Sequence, residues 1–146
     1  MCVEEWGDTE VLARTIWGEA RGESLEGMEA VARVVMNRYK ARKWFTGYVL
    51  EEGKKVPSIK ETCLKKAQFS CWNKNDVNYA KLLAVDERDK AFVLCLKIAD
   101  RAISGHLPDF TNNALFYHTK SIKPKWAVGH SPCYEVGQHL FYNDID

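Results

Sequence analysis

The chain has 146 residues, 46% hydrophobic and 28% charged, and its 21 basic and 20 acidic side chains leave a net charge of +1. That length closes one core, and the proportions are those of an ordinary globular domain. A near-neutral surface with no basic stripe among aromatics argues against a nucleic-acid partner, and no apolar run approaches the roughly 20 residues of a membrane span.

The opening residues, Met1-Cys2-Val3-Glu4-Glu5-Trp6, have neither the basic nor the apolar region of a signal peptide. The expectation is a single domain over 1–146, monomeric, made in the cytoplasm and retained there until released. From Asp8 or Thr9 the spacing predicts a helix running to Glu23, with Leu12, Ile16, Glu19, Ala20 and Glu23 on one side. Glu19 then falls within an apolar stripe, where lost hydration raises a carboxyl pKa and suits it to donate a proton. The alternative is a surface ion pair with Arg14 or Arg21.

Ser24 is placed to cap a second helix whose face Leu25, Met28, Val31, Ala32, Val35 and Tyr39 belongs at the centre of the core. Its basic end, Asn37 to Lys43, suits the negative pole of the helix. Residues 44–80 lack a helical period; Val56-Pro57-Ser58-Ile59 suggests a small hairpin, and Gln68-Phe69-Ser70-Cys71-Trp72-Asn73 a loop dense in polar and aromatic groups. A third helix is predicted between an Asp86 cap and Gly105. Turns follow over His106–Asn113, then a short buried segment Ala114–His118, and Tyr134–Tyr142 reads as a hairpin closed at Gly137.

Cys2, Cys63, Cys71, Cys95 and Cys133 form an odd set without CxxC spacing, which argues for free thiols rather than disulfides or a zinc ribbon. His106, His118, His130 and His139 are well separated and form no HExxH motif, so neither metal nor cofactor is expected.

Five segments in order carry a resemblance: Ala13-Arg14-Thr15-Ile16-Trp17-Gly18-Glu19-Ala20-Arg21-Gly22-Glu23, then Glu26 to Arg38, Gln68-Phe69-Ser70-Cys71-Trp72, Asp109 with Ala114-Leu115-Phe116-Tyr117-His118, and Val136-Gly137-Gln138-His139-Leu140-Phe141-Tyr142. Together they resemble the SleB-type cell-wall hydrolases, which include spore-cortex-lytic enzymes and phage lysis proteins. The resemblance implies an α+β, lysozyme-like fold, mostly helical with a small β-hairpin region, and a groove for a peptidoglycan glycan strand. It implies cleavage of the β-1,4 bond between N-acetylmuramic acid and N-acetylglucosamine, with Glu19 as the catalytic acid.

A glycosidase ordinarily needs a second carboxylate across the scissile bond. Glu23 lies one turn along from Glu19 with its Cβ about 5–6 Å away, so the two project together rather than straddle a bond; an ion pair or cap suits it better. Asp109 sits in turn-like sequence where Asp bonds its own backbone. A one-acid mechanism follows, as in lytic transglycosylases, where one Glu protonates the glycosidic oxygen and then helps the sugar's own 6-hydroxyl attack the anomeric carbon. That class uses a glutamine and a tyrosine followed by asparagine; Gln68 and Tyr117 match, and His118 stands in the asparagine's place. The expected substrate-binding set is Gln68, Phe69, Ser70, Trp72, Tyr117, His118 and Glu23.

Three rival readings are a muramidase with a second carboxylate, a Cys71-dependent amidase or peptidase similar to papain around Ser-Cys-Trp, and a non-catalytic glycan-binding module. In the last, Trp72, Tyr117 and Trp126 would stack on sugars, while Trp6, Trp17 and Trp44 are expected in the core. The missing export signal points to a phage endolysin released through a holin.

Overall fold

The computed structural model describes residues 2–146; Met1 lies outside the described residues. The element order is α1 (Asp8–Ala20), α2 (Leu25–Ala41), β1 (Tyr48–Glu51), β2 (Lys54–Pro57), α3 (Ile59–Leu64), α4 (Val77–Ala84), α5 (Lys90–Ile103), β3 (Phe116–Thr119), β4 (Tyr134–Val136) and β5 (His139–Tyr142). Short 3-10 turns occupy Val3–Glu5, Ser70–Trp72 and Lys125–Ala127. The architecture is α+β, as expected.

Helix α1 is buried on almost every side from Val11 to Gly18 and packs against α2, α3, α4 and α5. It ends at Ala20, short of Glu23, because the chain turns there: the Glu23 amide donates to the Ala20 carbonyl. Ser24 caps α2 as anticipated, accepting from the Gly27 amide at 3.2 Å. Arg42, at φ 53°, ends α2 in a left-handed turn.

The stretch expected to lack helix contains two. Helices α3 and α4 run only 6 and 8 residues, too short to show a period, and depend on their caps Ser58 and Asp76 and on packing against α1. The hairpin lies at 48–57, with Tyr48 opposite Pro57, so the piece read at 56–59 straddles its end. Helix α5 starts later than predicted: Asp89 is the cap, accepting from the Phe92 amide at 3.0 Å, while Asp86 grips Arg88 instead.

The C-terminal hairpin forms as read, and β3 joins it to give an antiparallel sheet in the order β3-β5-β4, with Tyr117 opposite Phe141. The main core lies among the helices. A second, aromatic cluster of Phe45, Phe116 and Tyr142, with Trp126 against it, joins the end of α2 to the sheet. Between the helical body and this sheet a cleft opens. All five cysteines are free thiols, and no helix among the described residues is long and apolar enough to cross a membrane.

Candidate active site

Glu19 leaves α1 where the helix emerges from the core. Leu12, Ile16 and Ala20 are buried as the spacing predicted, but Glu19 itself is half-buried and its carboxylate meets donors rather than a wholly apolar wall. The Tyr117 hydroxyl donates to Oε1, the Cys71 amide to Oε2 at 3.1 Å, and the Ser70 hydroxyl to Oε2 at 3.5 Å. Helix and loop come this close because residue 18 is glycine: a Cβ there would stand 2.8 Å from the Cys71 Cβ. Burial, then the neighbouring Glu19 charge, pushes the Tyr117 hydroxyl well above its ordinary value, so it stays a donor.

Arg38, from α2, lies beneath. Its guanidinium donates to the Leu115 carbonyl at 2.6 Å and to the Gln68 Oε1 at 3.3 Å, among the rings of Phe45, Phe69 and Phe116. Burial pulls its pKa down to about 10 while Tyr117 and Glu19 oppose that, so it is a cation at neutral pH. Arginine only donates, which fixes the Gln68 carbonyl inward and leaves the amide NH₂ as the group offered to the cleft.

The cleft encloses about 350 Å³ and is lined by Glu19, Arg38, Gln68, Ser70, Tyr117, His118 and Trp126 among others; Glu19 is its only carboxylate among the described residues. His118 contributes its ring rather than polar atoms. Nδ1 must donate to the Thr119 carbonyl at 2.7 Å, so Nε2 faces the Tyr142 hydroxyl at 2.8 Å. An asparagine-like contact to a substrate is therefore absent at this position.

Three expected substrate contacts lie elsewhere. Phe69, 2% exposed, is core and supports the Arg38 guanidinium. Trp72 points inward, its indole N–H donating to the Thr15 hydroxyl at 2.9 Å. Glu23 faces the sheet, not the cleft: its Oε1 accepts from the Gln138 amide at 2.9 Å and lies 3.4 Å from His139 Nδ1. Gly137 permits that approach, since at φ 55° a Cβ would come 2.3 Å from the same oxygen. His139 is 3% exposed and its ring meets Tyr117 edge-on at 5.1 Å. Glu23 thus braces the sheet that holds Tyr117 against Glu19. Spacing suggested an ion pair or cap for Glu23; its contacts run instead from the α1–α2 junction to the C-terminal hairpin.

The remaining candidates separate cleanly. Asp109 bonds its own turn, accepting from the Thr111 amide at 2.8 Å, the Thr111 hydroxyl at 2.6 Å and the Asn113 amide at 3.0 Å. The Cys71 thiol is buried, and burial followed by the Glu19 charge drives its pKa far upward, the opposite of a nucleophile's. Cys71 serves the site through its backbone. Trp6 and Trp17 are core, but Trp44 is 55% exposed and packs on Phe45 and Phe116 beside the aromatic cluster. Arg38 was missed because its position reads as dipole complement; the signal available was its place one turn beyond Val34 and Val35, on the apolar side of the helix. Among the described residues no group of three or more His, Cys, Asp or Glu has metal-holding geometry.

The sequence matches the family described as Cell Wall Hydrolase over residues 22–142, a stretch that begins just after Glu19. No curated protein matches it. The catalytic domain of the Bacillus cereus SleB protein superposes with a TM-score of 0.66 at 22% identity, over 93% of this chain and 89% of that one. The catalytic domain of the germination-specific lytic transglycosylase SleB from Bacillus anthracis gives 0.66 at 24% identity, over 93% of each chain. These likenesses establish the shared fold.

Proposed function

Because the chain belongs to the Cell Wall Hydrolase family, we propose that it cleaves the β-1,4 bond between N-acetylmuramic acid and N-acetylglucosamine as a lytic transglycosylase, with Glu19 as sole catalytic carboxylate. The observation that carries this reading is the cleft itself, where one carboxylate stands alone, aimed by Tyr117, Ser70 and the Cys71 amide. Two-carboxylate glycosidases hold their pair about 5–9.5 Å apart across the bond, and among the described residues no second carboxylate lines this cleft. The Bacillus anthracis protein of the same fold is a germination-specific lytic transglycosylase, which supports this reading.

In the reaction Glu19 gives its proton to the glycosidic oxygen as the bond to the anomeric carbon breaks. The carboxylate so formed then takes the proton of the muramic 6-hydroxyl as that oxygen bonds the anomeric carbon. Acid and base are one residue, no water is consumed, and the products are a free 4-hydroxyl and a 1,6-anhydromuramyl end. The Arg38 cation and the Tyr117 donor stabilise the carboxylate between the two steps. The Gln68 NH₂ faces the substrate as a donor for its acetamido carbonyl.

Clearing of a cell-wall suspension tests the assignment. Glu19→Gln loses about 10³-fold or more in rate while Cys71→Ala retains activity within about threefold. Loss on Cys71→Ala with Glu19→Gln still active would hand the chemistry to the thiol.

A further inference from the structure

Next to the cleft lies a second hollow of about 260 Å³, sharing His118, Ile122 and Pro124 with it as a common wall. Its floor is Leu140 and Tyr142 of β5, its far side Ala127 and Val128, and its rim Lys120 and Lys123. Apart from the Tyr142 hydroxyl, which is paired with His118, the side chains lining it among the described residues are apolar or basic, and no carboxylate is among them. Ile122 and Val128 are exposed apolar side chains, an arrangement with no role in the core. Lys120 is engaged with Glu135 at 2.6 Å, which leaves Lys123 as the cation without an ion-pair partner among the described residues.

We infer that this hollow receives the peptide stem of a muramic residue bound in the cleft. The inference rests on the proposed reaction, since it takes the cleft to hold a peptidoglycan strand. A muramic residue projects its lactyl group sideways from the glycan, and the attached stem combines small apolar side chains with free carboxylates. The apolar floor takes the former, and Lys123 meets a carboxylate at the rim. A second chamber sharing a wall with the first is placed for a substituent that branches from the strand, not for the strand itself. The enzyme therefore prefers glycan bearing stems to glycan stripped of them.

The test compares kcat/KM on intact sacculi with kcat/KM on glycan strands freed of stems by an N-acetylmuramoyl-L-alanine amidase. Wild type favours the stem-bearing substrate by about tenfold, and the exposed charge reversal Lys123→Glu cuts that ratio roughly three- to fivefold. In parallel, NMR titration of the ¹⁵N-labelled protein with a free stem tetrapeptide shifts the amides of Lys123, Val128 and Leu140. A ratio near unity for wild type, a ratio unmoved by Lys123→Glu, or a titration that leaves those amides still would each overturn the inference. Should neither substrate be cleaved, the proposed reaction falls, while the peptide titration still decides the stem site.

Discussion

Glu19 and Asp109 are both carboxylates held by several donors, and they end in opposite conditions. Asp109 closes on itself: the donors come from its own turn, joined by Asn37 at 3.3 Å and by Arg33 at 4.0 Å, and face inward to α2. Glu19 takes its donors from two other segments, the Ser70–Cys71 turn and β3, and keeps one side on the cleft. Residue type, donor number and the reach of the donors do not separate the two; what the remaining side of each carboxylate faces does. Asp109 ties its own turn to α2 and acts as a joint, whereas Glu19 is held from behind with one side left on the cleft.

The comparison sharpens first at Tyr117. Tyr117→Phe removes one aiming donor and leaves the ring packing on Phe141 and His139, so kcat falls about 10²-fold with the melting temperature nearly unchanged. An equal loss of stability would mean that Glu19's cradle is a joint as well. Glu23→Ala comes next, since it frees the Gln138 amide and the buried His139. Both properties suffer: activity falls about tenfold through Tyr117, and stability by about 2 kcal/mol, read from denaturant melts alongside the rate.

Asp109→Asn is the converse case and the smallest in rate. It costs about 2 kcal/mol of stability, and specific activity per folded molecule stays within about twofold. Partial burial pushes the Asp109 carboxyl up, but the Thr111 and Asn113 donors and Arg33 outweigh it and hold it below the ordinary range. A depressed folded pKa adds stability that is complete above the unfolded value near pH 4 and is lost as the pH falls through the folded one. Acid-unfolding curves of wild type therefore steepen below about pH 4 relative to Asp109→Asn. A large drop in kcat for a fully folded Asp109→Asn protein breaks the comparison.

Much of this was legible beforehand, for reasons that differ by element. Helices α1, α2 and α5 are long enough to show a period, and Ser24 and Gly137 mark a cap and a turn by local chemistry alone. Glu19 stands out as a carboxylate within an apolar stripe, and Asp109 as a turn residue. Helices α3 and α4 were hidden because caps and packing, not periodicity, hold them. Loop aromatics were the other blind spot. Whether Trp72 or Trp44 faces water depends on what packs over it, and no local pattern encodes that the Thr15 hydroxyl waits for one while open space waits for the other.

The claim that a single carboxylate performs both proton transfers is tested most directly by the new ends released from purified sacculi digested in ¹⁸O-labelled water. The account predicts 1,6-anhydromuramyl ends that lack the label. Reducing muramic acid ends carrying ¹⁸O would contradict it and require an activated water in the cleft.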